Sequence, residues 1–279
     1  MNKTKIAVIG SSGFVGRAAV KFFKKSNEFD VIEFDLKTLD GRKHSSNWLK
    51  VTKMMVNKCD VAVICLQTPV RSDGFDISAI LETFEWLEVK KVIIKSTMDP
   101  RSALECLKPG FDIVFNPEFI GESTYYIPES KYFDQSDIAK SPWHIFGSID
   151  NESDWAIDLY ETICGPAAKY IKTSVVNAVM AKLMSNAWAA TKIIWANEMF
   201  DLCESSGMNW HDIRELWALN PFFERMHSSV FKNKRGFSGK CLPKDVKGLI
   251  AYSKKLKGGS TLIEIVDRLN KTYQGLNSI

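Results

Sequence analysis

A chain of 279 residues that is 45% apolar can bury a substantial core, in one large domain or two smaller ones, and this excludes a disordered polymer. Its 37 basic and 33 acidic side chains leave a net charge of only +4, dispersed along the chain, which argues against a nucleic-acid surface and for a small-molecule partner. The six cysteines are scattered, with no C-x-x-C pair and no clustered histidines, which argues against a metal site and against a disulfide framework.

The chain opens with lysines and an apolar run, Ile6 to Ile9, that is too short for a secretion signal. No later stretch approaches the roughly 18 apolar residues of a membrane span. A cytoplasmic protein without membrane contact is therefore expected. Lys5 to Ile9 is β-prone and is followed by the turn Gly10-Ser-Ser-Gly13-Phe-Val-Gly16 and a helical pattern over Arg17 to Lys25. Val31 to Asp35, Val61 to Leu66, Lys91 to Lys95 and Ile113 to Asn116 read as further strands, with amphipathic segments between several of them. That alternation predicts an α/β fold with a Rossmann-type, doubly wound parallel sheet. A long polar and aromatic stretch, Glu122 to Pro142, precedes another β-like piece at Trp143 to Phe146.

The pattern changes at Ser174. Val175 to Ser205 is helical in character, without proline or glycine, and Ser174 is placed to cap it. Shorter helical stretches follow at Trp210 to Leu219, Val246 to Leu256 and Leu262 to Tyr273. The expected organisation is a nucleotide-binding domain over 1–173 and an all-helical domain with one long central helix over 174–279.

Gly10, Gly13 and Gly16, with Phe14 and Val15 between them, stand where a first strand passes into a first helix. Glycines there let backbone N–H groups approach a pyrophosphate at a helix N-terminus. Asp35, 19 residues past Gly16 at the end of the second strand, would accept hydrogen bonds from ribose hydroxyls and repel the extra phosphate of NADP, so the expected cofactor is NAD.

The stretch Arg235-Gly-Phe-Ser-Gly-Lys-Cys-Leu-Pro-Lys-Asp245 carries the chemistry. Pro243 suits the first turn of a helix, which puts Cys241 just before a helix N-terminus and beside Lys240, where the thiolate is favoured as a nucleophile. The other cysteines, Cys59, Cys65, Cys106, Cys164 and Cys203, are expected to be ordinary buried thiols.

With these residues in place the sequence resembles the UDP-glucose/GDP-mannose dehydrogenase family, whose nucleophile motif is similar to Gly236 to Asp245. Further motifs follow the family in order: Cys59-Asp-Val-Ala-Val-Ile-Cys-Leu-Gln-Thr-Pro69, Lys95-Ser-Thr97, Phe115-Asn-Pro-Glu-Phe-Ile-Gly-Glu122, Ala181-Lys-Leu-Met-Ser-Asn-Ala-Trp-Ala-Ala-Thr-Lys192 and Asn197-Glu198. The resemblance implies an NAD-dependent enzyme that oxidises the C6 alcohol of a nucleotide sugar to a carboxylate, with Cys241, Lys182, Asn186, Asp245, Glu118, Thr97 and Glu122 as catalytic residues. Thr68, Pro69 and Thr97 join the cofactor set, and Lys182, Asn186, Lys234, Arg235 and Gly239 form the substrate set. Lys182 and Asn186 are four apart on the long helix, so they share a face and can donate together to an oxyanion. The resemblance also implies a homodimer built on Val175 to Ser205.

Ser238, Lys240 and Val179 depart from the residues usual in the family. The resemblance covers the family's first two domains and implies a short form without the C-terminal nucleotide-binding domain. The basic run Lys232-Asn-Lys-Arg235 would then meet the diphosphate. The Glu122 to Gly147 loop, with Tyr125, Tyr126, Tyr132, Phe133 and Trp143, would either cover the substrate or pack on the sheet. Two other readings stay open: a two-electron dehydrogenase of a smaller hydroxy compound, against which the thiol argues, and a non-catalytic NAD-binding remnant.

Overall fold

The computed structural model describes residues 3–38, 40–121, 137–223, 225–256 and 259–276. Glu122 and the loop aromatics Tyr125, Tyr126, Tyr132 and Phe133 lie outside them. The chain forms two compact units, one of Met1–Pro69 with Phe75–Lys182, the other of Val70–Gly74 with Leu183–Ile279.

The first unit is built on strands β1 (Thr4–Ile9), β2 (Phe29–Phe34) and β3 (Val61–Ile64). Two short strands, β4 (Val70–Arg71) and β5 (Gly74–Phe75), pair only with each other. The main sheet continues with β6 (Lys91–Ile94), β7 (Asp112–Phe115), β8 (Trp143–Ser148) and β9 (Lys169–Ser174), in the order β2-β1-β3-β6-β7-β8-β9. Around it lie helices α1 (Phe14–Phe23), α2 (Ser46–Val56), α3 (Ser78–Trp86), α4 (Pro100–Glu105) and α5 (Asp154–Cys164). Ile6 to Ile9, Val61 to Ile64 and Val92 to Ile94 are buried along their length, the continuous apolar run of strands covered on both faces.

The sheet is not wholly parallel. Its first five strands are, but β8 runs antiparallel to β7 through the pair Phe115↔Gly147, and β9 then runs parallel to β8. An antiparallel neighbour needs no crossover back to the start of β7. Strand β9 was not expected, because it is an edge strand with three of its six residues exposed and so carries no apolar alternation.

Aromatic packing ties the helices to this sheet. Phe22 and Phe23 of α1 meet Tyr160 of α5, at centroid distances of 4.7 and 6.0 Å, and Phe146 of β8 meets the same ring at 5.1 Å. His144 lies in this cluster, edge-on to Tyr160 and with Nε2 3.5 Å from Cys164 Sγ. Burial, reinforced by the nearby Lys95 charge, lowers the imidazole pKa to about 4 from the ordinary 6.5. Its contribution to stability is therefore complete above about pH 6.5 and is lost as pH falls towards 4, to a total of roughly 3 kcal/mol. Urea melts at pH 7 and pH 4.5 should show this loss in the wild type and a smaller one in His144→Phe. An identical acid sensitivity in the two proteins would sink the assignment.

The second unit is helical apart from its short strand residues: it holds α6 (Val175–Ser205) from Leu183 onward, α7 (Trp210–Trp217), α8 (Leu242–Lys254) and α9 (Thr261–Gly275). Helix α6 has the expected bounds, and Ser174 Oγ accepts from the Asn177 N–H at 3.3 Å, as an N-cap does. Ala190 and Ile194 of α6 pack with Val246 of α8, Val266 and Tyr273 of α9, and Phe237. The α/β class and the long helix expected from sequence are both present.

Candidate active site

In the first unit the glycine turn lies at the carboxyl end of β1, where the chain passes to β2 on one side while β3 pairs on the other. Doubly wound sheets bind their ligands at such a switch point. Gly10 has φ +86°, and a Cβ there would lie 2.6 Å from the carbonyl oxygen of Cys65 at the end of β3. At Gly16 a Cβ would lie 2.0 Å from the Gly10 carbonyl oxygen, so turn and helix are in backbone contact. Gly13 is the N-cap of α1 and offers no side chain to the first-turn N–H groups, and Phe14 and Val15 in that turn are half-buried. These features fit a pyrophosphate laid against a helix start.

Asp35 follows β2 directly. Its Oδ2 accepts from the Ser12 N–H at 2.9 Å and its Oδ1 from the Lys37 N–H at 3.1 Å, which fixes the carboxylate beside the turn. The loops after β3 and β6 are stitched together: the Thr68 hydroxyl donates to the Thr97 carbonyl oxygen, and Ser96 Oγ donates to that of Leu66 at 2.8 Å. Thr68 is buried, Thr97 half-buried and Pro69 exposed. The carboxyl ends of neighbouring strands thus bring the glycine turn, Asp35, Thr68 and Thr97 to one edge of the sheet.

Glu118 follows β7 on the same edge. Its Oε2 is 3.0 Å from Nζ of Lys95, the residue after β6, and its Oε1 accepts from the Phe119 N–H at 2.9 Å. Lys95 opens the Lys95-Ser-Thr97 motif, and a lysine following a buried apolar strand requires a counter-charge. Lys182, in the part of α6 that belongs to this unit, is half-buried with Nζ 5.0 Å from the Phe119 ring centroid. Trp143, the first residue of β8, packs edge-on to that same ring at 4.7 Å.

In the second unit Cys241 is the N-cap residue of α8, half-buried, with Pro243 in the first turn as expected. Its carbonyl oxygen accepts from the Asp245 N–H at 2.9 Å. Asp245 is buried, with Oδ1 2.6 Å from Lys244 Nζ and Oδ2 accepting from Asn186 Nδ2 at 2.5 Å. Both carboxylate oxygens are thereby oriented, and Asn186 of α6 is brought to the helix that carries Cys241. Other thiols are kept protonated by burial, which pushes those of Cys65 and Cys106 up to about 12 and those of Cys59 and Cys164 up to about 11.

The approach to Cys241 is clamped. Arg235 is buried between the rings of Phe200 and Tyr273, each 4.9 Å away, and donates to Asn197 Oδ1 at 2.6 Å and Asp201 Oδ1 at 2.7 Å. Asn270 Oδ1 accepts from the Phe237 N–H at 2.6 Å while its Nδ2 donates to the Phe237 carbonyl oxygen at 3.0 Å. Arg235, expected at the substrate, thus has its guanidinium turned into the unit, where it holds the loop. Lys234 and Gly239 are exposed, the latter with φ +87°.

Residues 17–128 match the NAD binding domain of the UDP-glucose/GDP-mannose dehydrogenase family, and residues 176–272 match its central domain. The chain belongs to that family. The cofactor expected from Asp35 is the one this domain binds, NAD. The UDP-glucose 6-dehydrogenase of Rickettsia prowazekii (strain Madrid E) is 27% identical over 257 residues, 85% of this chain and 56% of that relative. The structure of a UDP-glucose dehydrogenase from the archaeon Pyrobaculum islandicum aligns with a TM-score of 0.77 at 21% identity, over 97% of this chain and 68% of that one. A Mycobacterium tuberculosis 3-hydroxyisobutyrate dehydrogenase shares the fold too, with a TM-score of 0.68 at 17% identity over 94% of its own length. The chain spans about half the length of the curated relatives it matches. Among the described residues no helix is long and apolar enough to cross a membrane.

Proposed function

We propose that the chain is an NAD-dependent nucleotide-sugar dehydrogenase that converts a sugar C6 alcohol to a carboxylate through adducts on Cys241. The observation that carries this reading is Cys241 at the head of α8 beside a buried Asp245 bonded to both Asn186 and Lys244. A single oxidation has no use for a thiol, whereas a double one does. Overall, R–CH2OH, two NAD+ and one water become R–COO−, two NADH and three protons.

NAD, when bound, accepts a hydride from the sugar carbon in each of the two oxidations. The chain's own residues carry the rest. A water takes the alcohol proton, the step for which Lys182 and Asp245 are proposed by resemblance. The Cys241 thiolate adds to the aldehyde carbon, forming a C–S bond, and the oxygen that gains charge is held by donors from Lys182 and Asn186. Asn186 also donates to Asp245, which fixes the direction of its amide. Oxidation of that adduct leaves a thioester. Water then attacks its carbonyl as Glu118, assisted by Thr97, accepts the proton, and the C–S bond breaks with the electron pair returning to Cys241. Glu122 belongs to the same proposed set by resemblance, and Lys234 with Gly239 to the substrate contacts. Arg235 acts through the loop it clamps.

Incubation with UDP- and GDP-sugars should form two NADH per sugar consumed, with NAD bound at least about tenfold more tightly than NADP because Asp35 repels the additional phosphate. One NADH per substrate would favour the two-electron reading, and equal affinities for the two cofactors would remove the role of Asp35. A second copy of this chain is the partner we propose for α6, where Met184, Trp188 and Leu202 remain exposed. A monomer by light scattering at micromolar concentration would overturn that.

A further inference from the structure

Lys95 is 2% exposed at the end of a strand whose other inner residues are apolar, so its charge requires a reason. Its Nζ donates to Asn116 Oδ1 at 2.5 Å and to Tyr160 Oη at 2.9 Å, and lies 3.0 Å from Glu118 Oε2. The Tyr160 hydroxyl in turn donates to Asn116 Oδ1 at 2.6 Å, and Asn116 Nδ2 donates to the Ile145 carbonyl oxygen at 2.8 Å. That last bond orients the amide, so that only its oxygen faces the ammonium. The group is drawn from four elements: Lys95 follows β6, Asn116 and Glu118 follow β7, α5 carries Tyr160 and β8 carries Ile145.

Stability does not account for this arrangement. An apolar side chain would complete the buried run of β6 without removing any charge from water, and buried ion pairs rarely outdo such a replacement. Burial opposes the ammonium, but Glu118 and Tyr160 outweigh it and the Lys95 pKa is raised, so the proton stays on lysine. Cys65 and His144 also face the pair, and both are held neutral by burial, so neither competes for Glu118. Lys182 Nζ lies 5.0 Å from the ring centroid of Phe119, the residue after Glu118.

We propose that Lys95, set in place by Asn116 and Tyr160, is a positioning residue for thioester hydrolysis, anchoring Oε2 of Glu118 while the Phe119 N–H holds Oε1. This rests on the reading of Glu118 as the hydrolytic base. Without the Lys95 ammonium the carboxylate keeps only the Phe119 N–H, so Oε2 is no longer fixed where the attacking water must be met. Lys95 contributes to neither hydride transfer, so its removal should separate the two halves of the reaction.

The test is stopped-flow NADH formation by Lys95→Met with UDP-glucose and, in parallel, GDP-mannose. The expected result is a burst of two NADH per chain at a rate within about threefold of wild type, then steady-state turnover lower by about 100-fold or more. Intact-mass measurement should find the acyl adduct on Cys241, NAD affinity should be unchanged, and Lys95→Arg should recover part of the turnover. Should Lys95→Met fail to fold, Tyr160→Phe removes one support of the ammonium without unpairing a charge, and the same split at smaller amplitude is expected. Equal loss of burst and turnover in a folded variant, or turnover like the wild type, overturns the proposal. If Glu118→Gln turns over normally, or the wild type forms no NADH with either sugar, the reading beneath it fails and the inference falls with it.

Discussion

Cys241→Ser should lower steady-state oxidation of a nucleotide sugar by at least about 1,000-fold, while binding of NAD and of the sugar stays within about twofold. In the proposed reaction the thiol is needed twice, as a nucleophile and as a leaving group. Serine is not ionised near neutral pH, and the ester it would form resists hydrolysis far better than a thioester does. The substitution should not disturb the fold. Cys241 is the N-cap of α8 and its side chain makes no capping bond there, so serine removes no cap and stability should hold within about 1 kcal/mol. Loss of activity therefore cannot be blamed on unfolding. Steady-state rates, calorimetric binding and a thermal melt on the same preparation decide the matter, and a variant oxidising at the wild-type rate would remove Cys241 from the chemistry.

The parts of this molecule that could be read beforehand are those where one local signal dominates. Helix α6 keeps its expected bounds because no proline or glycine interrupts Val175 to Ser205 and because Ser174 caps it. Cys241 stands at the start of α8 because Pro243 can occupy only a first turn. Strand β9 was hidden because Lys169 to Ser174 is a mostly exposed edge, and the reversed direction of β8 because strand direction leaves no periodicity in sequence. Arg235 shows a different difficulty. Beside Lys232 and Lys234 it reads as one more cation for the substrate's diphosphate, and the packing of α6 and α9 gives it two aromatic faces and two polar partners. Lys95 was concealed by the same kind of long-range pairing, since its partners Glu118 and Tyr160 lie 23 and 65 residues further on.

Gly16→Ala should weaken NAD binding by at least about 100-fold, near 2.7 kcal/mol, although it adds a single methyl group. The added Cβ would sit 2.0 Å from the Gly10 carbonyl oxygen, 2.8 Å from the Gly10 carbonyl carbon and 2.9 Å from Ser11 Cα. All three atoms are backbone, so no side chain can turn aside to make room. Nor can Gly10 retreat towards β3. It already holds φ +86°, and any group on its α-carbon would strike the Cys65 carbonyl oxygen at 2.6 Å. The turn and the first turn of α1 must therefore separate, which moves the N–H groups that would meet the pyrophosphate and pulls Ser12 away from Asp35 Oδ2. Gly13→Ala is the matched control: its nearest neighbour would be the Gly10 carbonyl oxygen at 3.4 Å, close to ordinary contact, and its φ of −71° suits any residue. The family's NAD binding domain matches from residue 17 onward, so the proposal that this turn holds the cofactor rests on its geometry rather than on that match. Calorimetric titration of NAD into both variants separates the cases. A Gly16→Ala protein that bound NAD as well as Gly13→Ala does would show that the turn closes the fold and takes no part in holding the cofactor.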